Sequence, residues 1–231
     1  MGTTVKEPAK SGGGRPQAAG YRLADNTRVP SVTTITGRFK DSGALIRWAY
    51  NQGVNGVPLD EARDKAASAG ALAHDMIEAF LCHNPPPSSD AYEPDAIKRA
   101  ENAYAQFERW YSQSRIDITH TEQPLVSEVH KFGGTLDAIG VDAEGRKVLV
   151  DWKSSNGVYP EYIMQLGGYA VLVREQMGIE LDEAHLCRFD KDAETFTHHS
   201  WGRSVLETGE RAFLMARELY EMDKALKRYA R

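Results

Sequence analysis

The chain has only two cysteines, Cys82 and Cys187. Two are too few for a zinc site or an iron–sulfur cluster held by cysteine alone. They suit a reducing, cytoplasmic compartment in which both thiols are free and packed. No run of eighteen apolar residues is present, so nothing reads as a membrane span. No apolar stretch near the start reads as a secretory signal. A surplus of positive charge is also missing. The formal net charge is −5, which counts against a general nucleic-acid binder but leaves room for local basic patches around an acidic, cation-holding site. There is no internal repeat. What is present, 41% hydrophobic and 26% charged residues over 231 positions, is the composition of a soluble globular domain.

Residues 1–20, with Ser11-Gly12-Gly13-Gly14, read as a flexible tail ahead of a single domain over 21–231. Tyr21 to Pro30 reads as a short hairpin turning at Asp25-Asn26, and Ser31 to Ile35 opens a helix or tight turn. Helices are expected over 43–52, 59–82 and 93–113, with Pro85-Pro86-Pro87 separating the last two. Strands follow over 116–128, 133–142 and 147–154. A helix over 160–177 starts at Pro160 and stops at Gly178. Two strands, 183–190 and 194–201, turn near Lys191-Asp192, and an amphipathic helix runs over 204–228. This order predicts an α/β fold, a mixed central sheet flanked by helices with a helical N-terminal region.

The segment Gly133 to Ser155 carries the most chemistry. Its two strands are joined by Ala143-Glu144-Gly145, a three-residue loop with glycine where positive φ is favoured. That loop pairs Val141 with Lys147 and, counting back, Asp137 with Asp151. Directly opposed residues lie roughly 4.5–5.5 Å apart at Cβ. Lys153 shares the Asp151 face, while Val148, Val150 and Trp152 point the other way. Opposed carboxylates repel, and a bound Mg²⁺ or Mn²⁺ is the simplest compensation. The bland alternative is a solvated strand face.

Around this pair lie further candidates. His74 and Glu78 are four apart on one helix and share a face. They are either a surface histidine with its partner or a metal ligand with a carboxylate orienting it. Tyr162, Gln165 and Tyr169 fall on one face of a later helix, as site residues or as a core face with outward-reaching tyrosines. Gly167 and Gly168 weaken that helix by about 1 kcal/mol each relative to alanine, which points to a close approach by the sheet or by a phosphate backbone. Glu122 and Glu128 either extend the acidic site or, as the preferred reading, are solvated strand-face acids. The other six histidines lack ligand-like spacing and read as structural or surface groups. Three basic clusters (Arg38, Lys40, Arg47; Lys98, Arg99, Arg109; Lys224, Lys227, Arg228, Arg231) read as solvated faces.

Four ordered motifs resemble the PD-(D/E)XK nuclease superfamily in its RecB-like branch: Gly70…His74, Gly134-Thr135-Leu136-Asp137, Asp151-Trp152-Lys153 and Gln165…Tyr169. The segment Val29 to Ile35 resembles the start of phage-type exonucleases and of mitochondrial genome maintenance exonucleases. The resemblance implies a restriction-endonuclease-like core and a Mg²⁺- or Mn²⁺-dependent deoxyribonuclease. It makes His74, Asp137, Asp151 and the carbonyl of Trp152 metal ligands. Lys153 would orient or deprotonate water, and Gln165, Tyr169 and Tyr162 would position water or the strand. The iron–sulfur cluster of one branch cannot be built here. DNA with free ends, single-stranded or unwound, is the expected substrate, in phage or bacterial recombination, repair or replication. A recombination or single-strand-binding protein is the expected partner. An endonuclease using the same site, and an inert DNA-binding module, are the competing readings.

Overall fold

A computed structural model describes residues 20–40, 42–155, 157–190 and 192–230. Residues 1–19 of the expected tail, Lys191 of the expected turn and Arg231 of the last basic cluster lie outside the described residues. A small hairpin, β1 (Tyr21–Arg22) and β2 (Arg28–Val29), leads into α1 (Val32–Arg38), whose first turn is capped by the Ser31 hydroxyl accepting from the Thr34 amide at 2.9 Å. Helices α2 (Gly43–Val54), α3 (Leu59–Leu81) and α4 (Pro94–Ser114) follow. Then come β3 (Asp117–Ser127), β4 (Phe132–Val141) and β5 (Lys147–Lys153), the crossover helix α5 (Pro160–Met177), β6 (Glu183–Phe189), β7 (Phe196–Gly202) and α6 (Arg203–Tyr229).

The five strands form one mixed sheet in sequence order, β3 to β7. Only β5 and β6 run parallel, because the intervening α5 carries the chain back to the starting edge. Alternation along β5 splits its side chains between two layers. Val148, Val150 and Trp152 join Leu72, Ile77, Phe107 and Trp110 under α3 and α4, whereas Leu149 joins Leu136, Leu166, Leu172 and Phe213 under α1, α5 and α6. Burial of α4 recurs at Ala96, Ala100, Ala103, Phe107 and Trp110, the three-and-four spacing of an amphipathic helix. Among the described residues no helix is long and apolar enough to cross a membrane.

Two expectations are corrected. Cys187 is buried, but Cys82 is exposed. It caps the C-terminus of α3 beyond the last core turn, with its sulfur 3.3 Å from the Thr121 hydroxyl. The glycine pair of α5 answers neither to the sheet nor to a phosphate. A Cβ at Gly167 would stand 2.1 Å from the Gly209 carbonyl carbon, and one at Gly168 2.9 Å from the Phe213 ring, so both serve the crossing of α5 by α6.

Candidate active site

Small residues bring the pieces of the site together. A Cβ at Gly70 would come within 3.0 Å of the Ser154 hydroxyl, so glycine there lets α3 lie against the chain leaving β5. One turn later α3 presents His74. On β4 a Cβ at Gly134 would lie 2.8 Å from the Tyr169 ring, which lets α5 settle directly on the strand that carries Asp137. The Tyr21 hydroxyl meets the Thr135 hydroxyl at 2.8 Å and ties the first hairpin to the same place.

Asp137 is 6% exposed. Its Oδ2 accepts from the Trp152 amide at 2.8 Å, and its Oδ1 lies 3.7 Å from His74 Nδ1. The β4–β5 ladder follows the expected register from Val141–Lys147 to Ala138–Val150. At the next position the Trp152 amide turns to the Asp137 side chain, so the anticipated ladder pairing of Asp137 with Asp151 is not formed. Like charges close together across a sheet are unfavourable, and the Lys153 ammonium, on which both acids act, offsets the repulsion.

A further acid facing Asp137 comes from β3. Thr121 pairs with Ala138 and Gln123 with Leu136, which leaves Glu122 opposite Asp137. Glu122 adopts φ +45°, a conformation uncommon away from glycine. One ligand atom each from His74, Glu122 and Asp137 all lie within 4.8 Å of one another. The reading of Glu122 as a solvated strand residue is thereby corrected. The turn between β3 and β4 has no loop glycine from which this register could be counted. Glu128 lies apart, accepting from the Ala24 amide at 2.8 Å.

Beside this group sits a second. Asp151 is 2% exposed, with Oδ2 at 2.5 Å from the Lys153 ammonium and Oδ1 accepting from Gln165 at 3.2 Å. Gln165 also donates to the Tyr169 hydroxyl at 3.1 Å, and Lys153 lies over the Tyr162 ring at 5.3 Å. Burial draws the Lys153 pKa down, but the charges of Asp151 and Asp137 outweigh it and hold the group above its usual value. Burial, reinforced by the same two acids, pushes the Tyr169 phenol well above its usual range. Glu78 stands one turn beyond His74 on α3.

His74 and Asp137 of the first group and Lys153 and Gln165 of the second line a cavity of about 1230 Å³, together with Arg28, Ser31 and Lys224. Two of the basic clusters meet near its rim, where Asp223 bridges Arg38 of α1 at 2.8 Å and Lys227 of α6 at 2.8 Å.

A family model described as the PD-(D/E)XK nuclease superfamily matches residues 44–229. The chain belongs to the PD-(D/E)XK nuclease superfamily. No curated protein matches it. Among solved structures it is similar to a candidate exonuclease from Eubacterium rectale, at 14% identity and TM-score 0.44, over 64% of each chain. It thus spans less than two thirds of that protein. It is also similar to the alkaline exonuclease LHK-Exo of Laribacter hongkongensis, at 17% identity and TM-score 0.36, over 67% of this chain and 84% of that one. LHK-Exo in complex with dAMP gives 18% identity and TM-score 0.37, over 71% and 91%. These are partial likenesses of architecture. The PD-(D/E)XK superfamily uses divalent metals, and in this member two carboxylates and an imidazole with ligand atoms within 4.8 Å of one another form a donor set that suits a hard or borderline divalent cation.

Proposed function

We propose that this PD-(D/E)XK protein is a Mg²⁺- or Mn²⁺-dependent deoxyribonuclease that removes nucleotides from DNA ends. The observation that carries the reading is the cluster of His74, Glu122 and Asp137 near a buried Asp151–Lys153 pair, with His74, Asp137 and Lys153 lining one open cavity. His74, Glu122 and Asp137 would hold the ion, with Asp151 and the Trp152 carbonyl completing its surroundings. When bound, such an ion supplies an activated water and neutralises phosphate charge.

The chain's own groups do the rest. Lys153, kept an ammonium by its two acidic neighbours, donates to the phosphate oxygens as charge gathers on them during attack by water. Gln165 fixes one Asp151 oxygen and so sets the orientation of that carboxylate. Tyr169 keeps its proton and can donate into the cavity it lines. The setting we propose is recombination, repair or replication of bacterial or phage DNA, in the cytoplasm.

Linear and covalently closed circular DNA, incubated with Mg²⁺, Mn²⁺ or chelator, test this. Linear DNA should be degraded, circles should persist, and chelator should stop the reaction. Cleavage of circles would establish the endonuclease reading instead, and inertness with every divalent ion would overturn both.

Glu122 has its own test. In Glu122→Gln, the Mn²⁺ affinity read by calorimetric titration should fall at least about tenfold, with a parallel loss of rate. Asp137→Asn keeps an acceptor for the Trp152 amide but loses the charge, and should fall further. An unchanged titration in Glu122→Gln would remove that residue from the ligand set.

A further inference from the structure

Beyond the Lys153–Ser155 segment lies a second cavity, of about 1470 Å³, between α2, α3 and the start of α5. Ser154 and Ser155 line both cavities, so the two meet across the chain that leaves the catalytic strand. Four half-buried aromatic side chains line the second cavity: Phe39 just after α1, Trp48 from α2, and Tyr159 and Tyr162 from the start of α5. Trp48 has no ring partner among the described residues. Tyr159 and Tyr162 meet edge to face at 5.6 Å, with Lys40 over the first at 5.3 Å and Lys153 over the second at 5.3 Å. A row of rings therefore begins beside Lys153 and leads away from it.

The charges around this cavity nearly cancel. Lys40 pairs with Glu161 at 3.2 Å, Lys65 with Asp95 at 3.0 Å and Arg99 with Asp192 at 2.8 Å. Arg63 is the remaining cation of the lining. Such a surface does not hold a phosphate backbone mainly by charge. Aromatic rings hold bases by stacking, and they do so when the base faces are not already covered by neighbours in a duplex.

We propose that the second cavity holds unpaired bases of the substrate strand next to the scissile phosphate, with Trp48 as their principal stacking platform. The proposal rests on the nuclease reading above and narrows it to single-stranded DNA at this side of the cut.

Two substrates separate the proposal from the reading beneath it. The p-nitrophenyl ester of thymidine 5′-phosphate needs only the metal site, whereas a thirty-residue oligothymidylate also reaches the second cavity. In Trp48→Ala the KM for the oligonucleotide should rise about tenfold, as loss of one stacked base implies. Hydrolysis of the ester should be unchanged, and Trp48→Phe should restore most of the loss. The loss should be the same at about 50 and about 200 mM salt, because counterion release scales with phosphate contacts and not with stacking. Equal KM values for wild type and Trp48→Ala would overturn the proposal while leaving the nuclease reading intact. If wild type cleaves neither substrate with any divalent ion, the nuclease reading falls. Anisotropy of labelled oligothymidylate in chelator then decides the second cavity alone, and equal binding by the two proteins overturns it.

Discussion

Lys153→Ala should lower DNA turnover by about 10²–10⁴-fold, the range for loss of a positioned proton-transfer or charge-stabilising group. Its ammonium is 2.5 Å from an Asp151 oxygen, and that carboxylate is 2% exposed. Without Lys153 the buried Asp151 carboxylate loses its cationic partner while still lying close to Asp137. Breaking a buried ion pair by removing one partner costs about 3–5 kcal/mol, so the metal-free variant should also unfold more readily. A divalent ion restores the missing positive charge, so Mn²⁺ should bind at least as tightly as in wild type and recover much of the stability. Single-turnover rates, Mn²⁺ titration and urea unfolding with and without Mn²⁺ measure the three effects. Turnover within threefold of wild type would remove Lys153 from the chemistry.

The second large effect is structural. Gly167→Ala should destabilise the protein by about 3 kcal/mol or more, at the upper end of the cost of overpacking. The added methyl carbon would sit 2.1 Å from the Gly209 carbonyl carbon and 2.3 Å from the Glu210 amide nitrogen. Both are main-chain atoms of α6 and cannot swing aside. Gly209 is equally confined, since a Cβ there would lie 2.4 Å from the Ile163 carbonyl oxygen. Alanine's gain of about 1 kcal/mol in helix propensity does not offset this. Gly53→Ala, in a helix with nothing within 4 Å of the new carbon, should be neutral or stabilising by up to about that amount. Urea unfolding of the two variants makes the comparison, and a Gly167→Ala protein as stable as wild type would show that α5 and α6 can part freely. Because α6 also brings Tyr220 and Lys224 to the cleft, a shift of α6 should weaken DNA cleavage as well.

The glycine pair shows where reading the sequence stops. That Gly167 and Gly168 serve a close approach follows from their cost in a helix. Which body approaches is a long-range matter, and the answer, α6, lies some forty residues away. The hairpin was legible because Gly145, with φ +80°, marks its loop. From that loop the pairing of β4 with β5 could be counted as far as Ala138–Val150. The turn between β3 and β4 carries no such mark. Its positive φ is taken by Lys131, at +56°, a residue with no special preference for it. Without a loop to count from, the register that sets Glu122 against Asp137 could not be read. Gln165 was open between a core role and a site role because it has both, being 7% exposed and bonded to Asp151.

The division of β5 between two layers limits how this region can change. Insertion of a single residue between Arg146 and Asp151 would reverse the facing of all that follows. The indole of Trp152 would then enter the cleft, and a carboxylate would be driven among the rings of Phe107, Trp110 and Phe189. Substitution can tune this strand, but its length is fixed by the two surfaces it must serve at once.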